Sequence, residues 1–219
     1  MATHPRIPPR RGARATSWWG KAWVRAVEEA AYDEPELKAA RTLSRSGRIG
    51  AVTVDPGRFV ASVEEGDDVL TVTGEVPVLD SDQQAAFVEA VAAESGRIGA
   101  LVTGDLPHPL VEHAEEAGVE LLPYGGELAT RCSCEPWADP CHHALAVMYQ
   151  LAWLVEGDPF VLLALRGIER DDLLARLHAT APSPARRGSD AEVLADARDR
   201  ARRLLELLDD PDADLAALL

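Results

Sequence analysis

All three cysteines of this chain lie in one short segment, at Cys132, Cys134 and Cys141, and two histidines follow at once. The spacing is Cys-x-Cys, then six residues, then Cys-x-His. Three thiolates and one imidazole complete the tetrahedral shell that Zn²⁺ has in structural sites. The segment therefore predicts one structural zinc ion held by Cys132, Cys134, Cys141 and His143. His142 is the alternative fourth ligand, and we favour His143.

The local chain fits such a site. Residues i and i+2 of an extended segment point to the same side, so Cys132 and Cys134 can hold one ion. An apolar pattern of helical period begins at Ala144, which puts Cys141 and His143 on the first turn of a helix, where the helix dipole favours a thiolate. Buried apolar cysteines or a reactive thiol are the alternatives. An odd number of cysteines argues against a closed disulfide set.

The Cys-x-Cys…Cys-x-His segment and its apolar helix resemble the SWIM zinc finger. Three further stretches, Trp18–Trp23, Arg45–Arg48 and Asp158–Leu163, resemble a set of actinobacterial SWIM-finger proteins, so the resemblance covers residues 16 to 178. It implies zinc binding with a role in binding DNA or proteins. It also implies a link to Swi/Snf-type helicase-like ATPases, with which members of that family are often associated.

Composition favours a cytoplasmic protein. Apolar residues make up 47% of the chain, and no run of eighteen or more is present, so we expect no membrane span. No apolar stretch follows Arg10 and Arg11, and we therefore expect no export signal.

Charge is distributed unevenly along the chain. The net charge is −15, but residues 1–48 hold ten Lys or Arg against five Asp or Glu. Affinity for nucleic acid depends on neutralising phosphates, so most of this surface should repel DNA and only the N-terminal region could attract it. The candidate nucleic-acid-binding residues are Arg10, Arg11, Arg14, Arg41, Arg45 and Arg48. A solvated basic face is the alternative for each of them.

The pattern of breaks divides the chain into four parts. Residues 1–15 are rich in Pro and Arg and predict a flexible basic arm. Residues 16–178 predict one globular domain, with the finger at 131–145. Residues 179–189 have the composition of a linker, and residues 190–219 predict a helical tail that docks on the domain or on a partner.

The predicted fold class is α+β: a small antiparallel β-meander packed with helices, plus a Cys3His SWIM-type zinc finger that leads into an apolar helix. Alternating apolar residues and short turns predict three consecutive antiparallel strands. They cover residues 49–54, 58–64 and 69–79. Helical periodicity and capping signals predict helices that begin at Thr16 or Ser17, at residue 34, at a capping box Ser81–Gln84, and over 98–102, 109–117, 158–165 and 171–177.

Three of the five tryptophans, Trp18, Trp19 and Trp23, lie on the first helix. We expect them to pack in the core, because tryptophan buries a large apolar area. The alternative is an exposed aromatic group that binds a partner protein, since such residues dominate interfaces.

Motifs of catalysis are not found. The chain has no phosphate-binding GxxxxGK[ST] loop, no nucleophile elbow and no paired-carboxylate motif, so we expect neither an enzyme nor a small-molecule substrate. Two functions remain. The preferred one is a zinc-binding adaptor for a protein partner, because the acidic surface favours proteins over DNA. The resemblance makes a Swi/Snf-type helicase-like ATPase the candidate partner. The alternative is a nucleic-acid-binding accessory factor that uses the basic N-terminal region.

Overall fold

A computed structural model describes residues 1–11, 15–180, 194–195 and 197–202. The chain divides into two compact units, residues 1–177 and residues 178–219. The described helices and strands are, in chain order, β1 (Ala2–His4), α1 (Trp18–Ala30), α2 (Glu34–Ser44), β2 (Ile49–Asp55), β3 (Arg58–Glu65), β4 (Asp68–Glu75), α3 (Ser81–Ala92), α4 (Ser95–Val102), α5 (His108–Glu116), a 3-10 turn (Gly125–Glu127), β5 (Ala129–Cys132), α6 (His142–Gly157), α7 (Pro159–Leu165) and α8 (Arg170–Thr180).

The five strands form one antiparallel sheet in the order β1-β2-β3-β4-β5. The predicted α+β class and the central meander are confirmed. Alternation in β3 buries Phe59, Ala61 and Val63, while the residues between them are more exposed. The third predicted strand ends at Glu75 and not at residue 79, because Val76 and the residues after it leave the sheet.

The two outer strands were not among the three predicted strands. The sequence did place Cys132 and Cys134 on an extended segment, and this is correct for Cys132, at the end of β5, but wrong for Cys134, which lies in a turn. β1 pairs with β2 from Ala2 opposite Val54 to His4 opposite Val52. The expectation of a flexible arm over residues 1–15 is therefore wrong for Ala2–His4. Three residues without apolar alternation carry no strand signal, and the free edge of β2 supplies the hydrogen bonds that order them.

Helix α6 lies at the centre of the first unit. Its residues from His143 to Ala152 are all buried, because α1 and α2 pack on it and β2, β4 and β5 contact it as well. A helix that is apolar on every side is expected in such a position. The residues that follow the metal-ligand segment are thus fixed by packing on several elements at once.

Helix starts agree with the sequence to within a few residues. Ser17 is the N-cap of α1, and its hydroxyl accepts a hydrogen bond from Gly20 N. The capping box of α3 is formed by Asp80 and Gln83, one position before the predicted pair, because the longer reach of the Asp80 carboxylate satisfies two amides. Helix α4 begins at Ser95, earlier than the predicted residue 98.

The tryptophans of α1 are part of the core. Trp23 is fully buried, and its indole N–H donates to Met148 O at 3.0 Å. Trp19 is 7% exposed and donates to Val155 O at 3.1 Å. Trp18 is half-buried and donates to Leu106 O. The alternative of an exposed partner-binding group is wrong for Trp19 and Trp23, because their rings and N–H groups are already used in packing.

In the second unit, the described residues 194–195 and 197–202 are helical. The predicted linker overlaps the end of α8, and its residues from 181 onward lie outside the described residues. The same holds for residues 190–193, 196 and 203–219 of the predicted tail. Across the described residues, no helix combines the length and the apolar character needed to cross a membrane.

Candidate metal centre

The four predicted ligand residues come from three consecutive pieces of structure. Cys132 is the last residue of β5 and pairs with Val72 of β4. Cys134 follows in a turn, which the amide of Ser133 fixes by donating to Thr71 O at 3.0 Å. Cys141 is the N-cap of α6, and His143 lies on its first turn. The sheet edge and the central helix therefore set the positions of the ligands.

The ligand atoms of these residues all lie within 4.8 Å of one another. Cys134 Sγ lies 3.6 Å from Cys141 Sγ, and Cys141 Sγ lies 3.8 Å from His143 Nδ1. In a tetrahedral site with Zn–S near 2.3 Å and Zn–N near 2.0 Å, neighbouring ligand atoms are about 3.5–3.8 Å apart. These two distances match the edges of such a tetrahedron, and the remaining separations stay within 4.8 Å.

The site is largely closed to solvent. Cys132, Cys141 and His143 are buried, and Cys134 is intermediate. Burial raises the pKa of the Cys134 thiol, and the neighbouring thiols of Cys132 and Cys141 raise the pKa further. Three sulfurs this close disfavour each other's ionisation, and a divalent cation is what makes them stable as thiolates. The donor set therefore suits a metal ion.

Carboxylates hold the histidine pair from outside. Glu65, at the end of β3, places Oε2 at 2.8 Å from His143 Nε2, although the ring N–H is not well aligned with that oxygen. Glu36 of α2 places Oε2 at 3.2 Å from His142 Nδ1 and accepts the His142 backbone N–H. The ring nitrogens of His142 thus lie next to carboxylates. The His143 ring contacts Glu65 through Nε2 and directs Nδ1 towards the sulfur of Cys141. This arrangement agrees with the choice of His143 over His142 as the fourth ligand.

The loop between Cys134 and Cys141, residues 135–140, is here called the metal loop. It is anchored by the buried Ala138 and by Thr130, whose Oγ1 donates to Asp139 Oδ1 at 3.0 Å. Trp137 stands at its surface with 77% of its area exposed. Its ring meets that of Tyr32, which is 66% exposed, edge-to-face at 5.2 Å between centroids.

Sequence reasoning did not single out Glu65, Trp137 or Tyr32. Glu65 is far from the cysteines along the chain, and no spacing rule connects them. Trp137 lies inside the predicted finger, and an aromatic residue in a solvated loop was the signal that could have identified it.

The six candidate nucleic-acid-binding arginines have different surroundings. Arg41 is paired with Glu28 and Glu34, and Arg45 Nε donates to Arg41 O. The Arg10 guanidinium lies over the Trp153 ring at 4.4 Å. The remaining three are Arg11, which is exposed, Arg48, whose side chain donates to Ser46 Oγ, and Arg14, which lies outside the described residues.

Comparison with curated proteins finds a relative in Mycobacterium tuberculosis (strain ATCC 25618 / H37Rv), the uncharacterized protein Rv2102. The two sequences are 31% identical over 198 residues, which cover 87% of this chain and 71% of that protein. No protein-family model matches the chain, and no solved structure matches it.

Proposed function

We propose that this chain, which belongs to the family of the Mycobacterium tuberculosis protein Rv2102, is a zinc-binding adaptor that presents its metal loop to a protein partner. The observation that carries the proposal is the contact between two exposed aromatic rings, that of Trp137 in the metal loop and that of Tyr32. The candidate ligands Cys134 and Cys141 flank this loop.

Zinc is the metal that the donor set favours. Three thiolates and an imidazole within 4.8 Å of one another suit Zn²⁺ better than the oxygen-preferring ions Mg²⁺ and Ca²⁺. The bound ion would supply a fixed positive centre that keeps the sulfurs ionised and joins β5 to α6. With four protein ligands it would have a structural role, and the resemblance to SWIM fingers supports the same assignment.

The aromatic pair has the features of a binding surface. Single exposed apolar residues are common on proteins, but two large rings in contact form a patch. Tryptophan and tyrosine are enriched among the residues that contribute most to binding energy at protein interfaces. An exposed edge-to-face pair stabilises its own geometry before a partner arrives.

The loop is also preorganised. Cys134 and Cys141 hold its ends, and the contact between Thr130 and Asp139 holds its side. A loop fixed in this way loses less conformational freedom on binding than a free loop does, so more of the contact energy appears as affinity. This links the metal to the adaptor role, since the ion would keep Trp137 in place.

The charge of the chain indicates the type of partner. Glu135 and Asp139 flank Trp137, and the whole chain carries a net charge of −15. An apolar pocket surrounded by basic side chains on the partner would match this surface in shape and charge. The resemblance to SWIM proteins favours a Swi/Snf-type helicase-like ATPase as that partner. The proposed role is one of binding and not of catalysis.

Site-specific photo-crosslinking in the organism of origin tests the proposal. A photoreactive aromatic amino acid replaces Trp137 in one strain and Val102, an exposed apolar residue on α4, in a control strain. We expect a discrete protein adduct from position 137 that is not formed from position 102. We also expect it to disappear when Cys141→Ser is added, because the loop then loses its metal.

Adducts that are the same from both positions would contradict the adaptor role. A competition experiment gives a second possible contradiction. If excess Trp137→Ala protein suppressed the adduct at position 137 as strongly as excess wild-type protein does, Trp137 would not contribute to binding the partner.

A further inference from the structure

A large cleft lies between α1, α2 and α6. Its volume is about 910 Å³, within the range of ligand sites in proteins. The residues that line it include Lys21 and Arg25 of α1, Arg41 of α2, Arg45 directly after α2, and Tyr149 and Trp153 of α6. We call it the basic cleft. Its lining includes no residue of the metal loop and no metal ligand.

The charge of the basic cleft is opposite to that of the chain. Four cationic side chains line it in a protein whose net charge is −15. Glu28 is the acidic residue among those that line it, and it is paired with Arg41 at 2.8 Å. In the part of the chain that the structure describes, Lys21 and Arg25 form no ion pair. Their charges are therefore available to an anion.

Hydrogen bonds and ion pairs among the lining residues hold the walls of the cleft in position. Arg41 Nε donates to Tyr149 Oη at 3.1 Å, and the guanidinium also pairs with Glu28 and Glu34. These contacts raise the pKa of Arg41, with the Glu28 bond as the largest cause. Arg45 Nε is fixed on Arg41 O at 2.8 Å. Fixing cations before a ligand arrives lowers the cost of ordering them on binding.

The guanidinium of Arg10 is a fifth cation, next to the cleft residue Trp153. Arg10 stacks over Trp153 at 4.4 Å, and its backbone N–H donates to Arg45 O at 3.1 Å, so the N-terminal segment is tied to the end of α2. Arginine and lysine around an aromatic and partly apolar wall, here with Val24, are a combination that suits a phosphate group attached to a planar base.

We propose that the basic cleft binds the phosphate groups of a nucleotide, either free or as part of a single nucleic-acid strand, with Lys21, Arg25 and Arg45 contacting the phosphates. Three of the arginines that the sequence suggested for nucleic-acid binding, Arg10, Arg41 and Arg45, lie around it. Lys21 and Arg25 add the unpaired charge that the sequence did not identify.

Binding measurements on the full-length, zinc-loaded protein test the site. The ligands are ATP, inorganic tripolyphosphate and a labelled thymidine oligonucleotide of about 12 residues, which fits common single-strand site sizes. The variants are Arg25→Glu in the cleft and Arg58→Glu on β3, which change the charge equally and replace exposed side chains. Circular dichroism and zinc content verify that both fold.

We expect ATP or the oligonucleotide to bind at low salt, Arg25→Glu to weaken that binding at least tenfold, and Arg58→Glu to change it less than twofold. Tighter binding of the oligonucleotide, with an affinity that falls steeply with salt, identifies a strand as the ligand. Tighter binding of ATP identifies a free nucleotide.

Three results would overturn the proposal: no binding of any of the three ligands at low salt, equal losses in the two variants, or binding of tripolyphosphate as tight as that of ATP and the oligonucleotide. The last result would mean that the cleft binds polyanions through their charge alone and does not recognise a nucleotide. The crosslinking test of the metal loop is independent of all three.

Discussion

Nε2 of His143 lies 2.8 Å from Oε2 of Glu65, while Nδ1 of the same ring lies 3.8 Å from the sulfur of Cys141. The imidazole is therefore held between a carboxylate and the thiol cluster. A carboxylate at Nε2 favours the tautomer that carries the proton there and leaves the Nδ1 lone pair for a metal. The Glu65 side chain is half-exposed and can turn to align with the ring N–H.

Replacing Glu65 should therefore weaken zinc binding. We expect Glu65→Gln to lower the zinc affinity about 10-fold and Glu65→Ala somewhat more, at the low end of the effect of such outer carboxylates because Glu65 is half-exposed. Competition with a chromophoric chelator measures this. Asp67→Asn, a loss of charge in the same β3–β4 turn, is the matched control. Equal affinities of the Glu65 and Asp67 variants would show that His143 needs no such partner.

Cys141→Ser should remove the metal and loosen residues 131–165. Structural zinc in isolated fingers contributes on the order of 10–16 kcal/mol, and the packing of α6 in a larger core should reduce the loss here. Metal analysis and amide hydrogen exchange measure the two effects. His142→Ala is the control and should keep one zinc per chain, since His142 faces Glu36. A Cys141→Ser protein that still holds one zinc would mean that the ligand set is different.

Trp23→Ala should destabilise the first unit by about 3–5 kcal/mol, the usual range for deleting a buried tryptophan. Trp23 is fully buried, and its N–H satisfies Met148 O inside α6. Trp18→Ala should cost less, because Trp18 is only half-buried. Urea unfolding of the zinc-loaded proteins compares them. Similar losses for both variants would contradict the burial seen for Trp23.

Glu156 should give a stability contribution that depends on pH. It accepts hydrogen bonds from Ser17 N at 2.6 Å and from Thr16 Oγ1 at 2.8 Å. Burial acts to raise its pKa, but these hydrogen bonds outweigh burial and lower the pKa of the carboxyl. Its contribution is thus complete above the unfolded-state pKa near 4.5 and is lost as the pH falls through the lower folded-state pKa.

We expect Glu156→Gln to reduce the free energy of unfolding by about 1–2 kcal/mol at neutral pH, the range for hydrogen bonds to a partly exposed charged group. The difference from wild type should shrink below about pH 4. Urea unfolding at several pH values measures the difference. Acid release of zinc affects both proteins alike and cancels in it. A difference that stays constant with pH would exclude the ionised carboxylate as its source.

The sequence predicted the metal-ligand cluster and the meander because both depend on local order along the chain. Cys132, Cys134, Cys141 and His143 lie close together in sequence, and the alternation in β3 is visible in Phe59, Ala61 and Val63. The periodicity after Ala144 likewise predicted α6.

What sequence reasoning missed depends on contacts between distant residues. Glu65 reaches His143 across the fold, and the basic cleft combines Lys21 with Trp153. Neither pair has a spacing signal. Strand β1 is ordered by the free edge of β2 and not by its own residues, so its composition predicted a flexible arm. The sequence also placed the N-cap of α3 at Ser81 and not at Asp80, because both side chains can accept hydrogen bonds from the first amides of a helix.

Cys132 belongs to the sheet, where it pairs with Val72, and His143 belongs to the central helix. A peptide cut out around the four ligands would have neither β4 as a template nor Glu65 beside the imidazole. We therefore expect such a peptide to bind the metal more weakly than the intact first unit does. Metal uptake should then report on the tertiary assembly of the whole first unit.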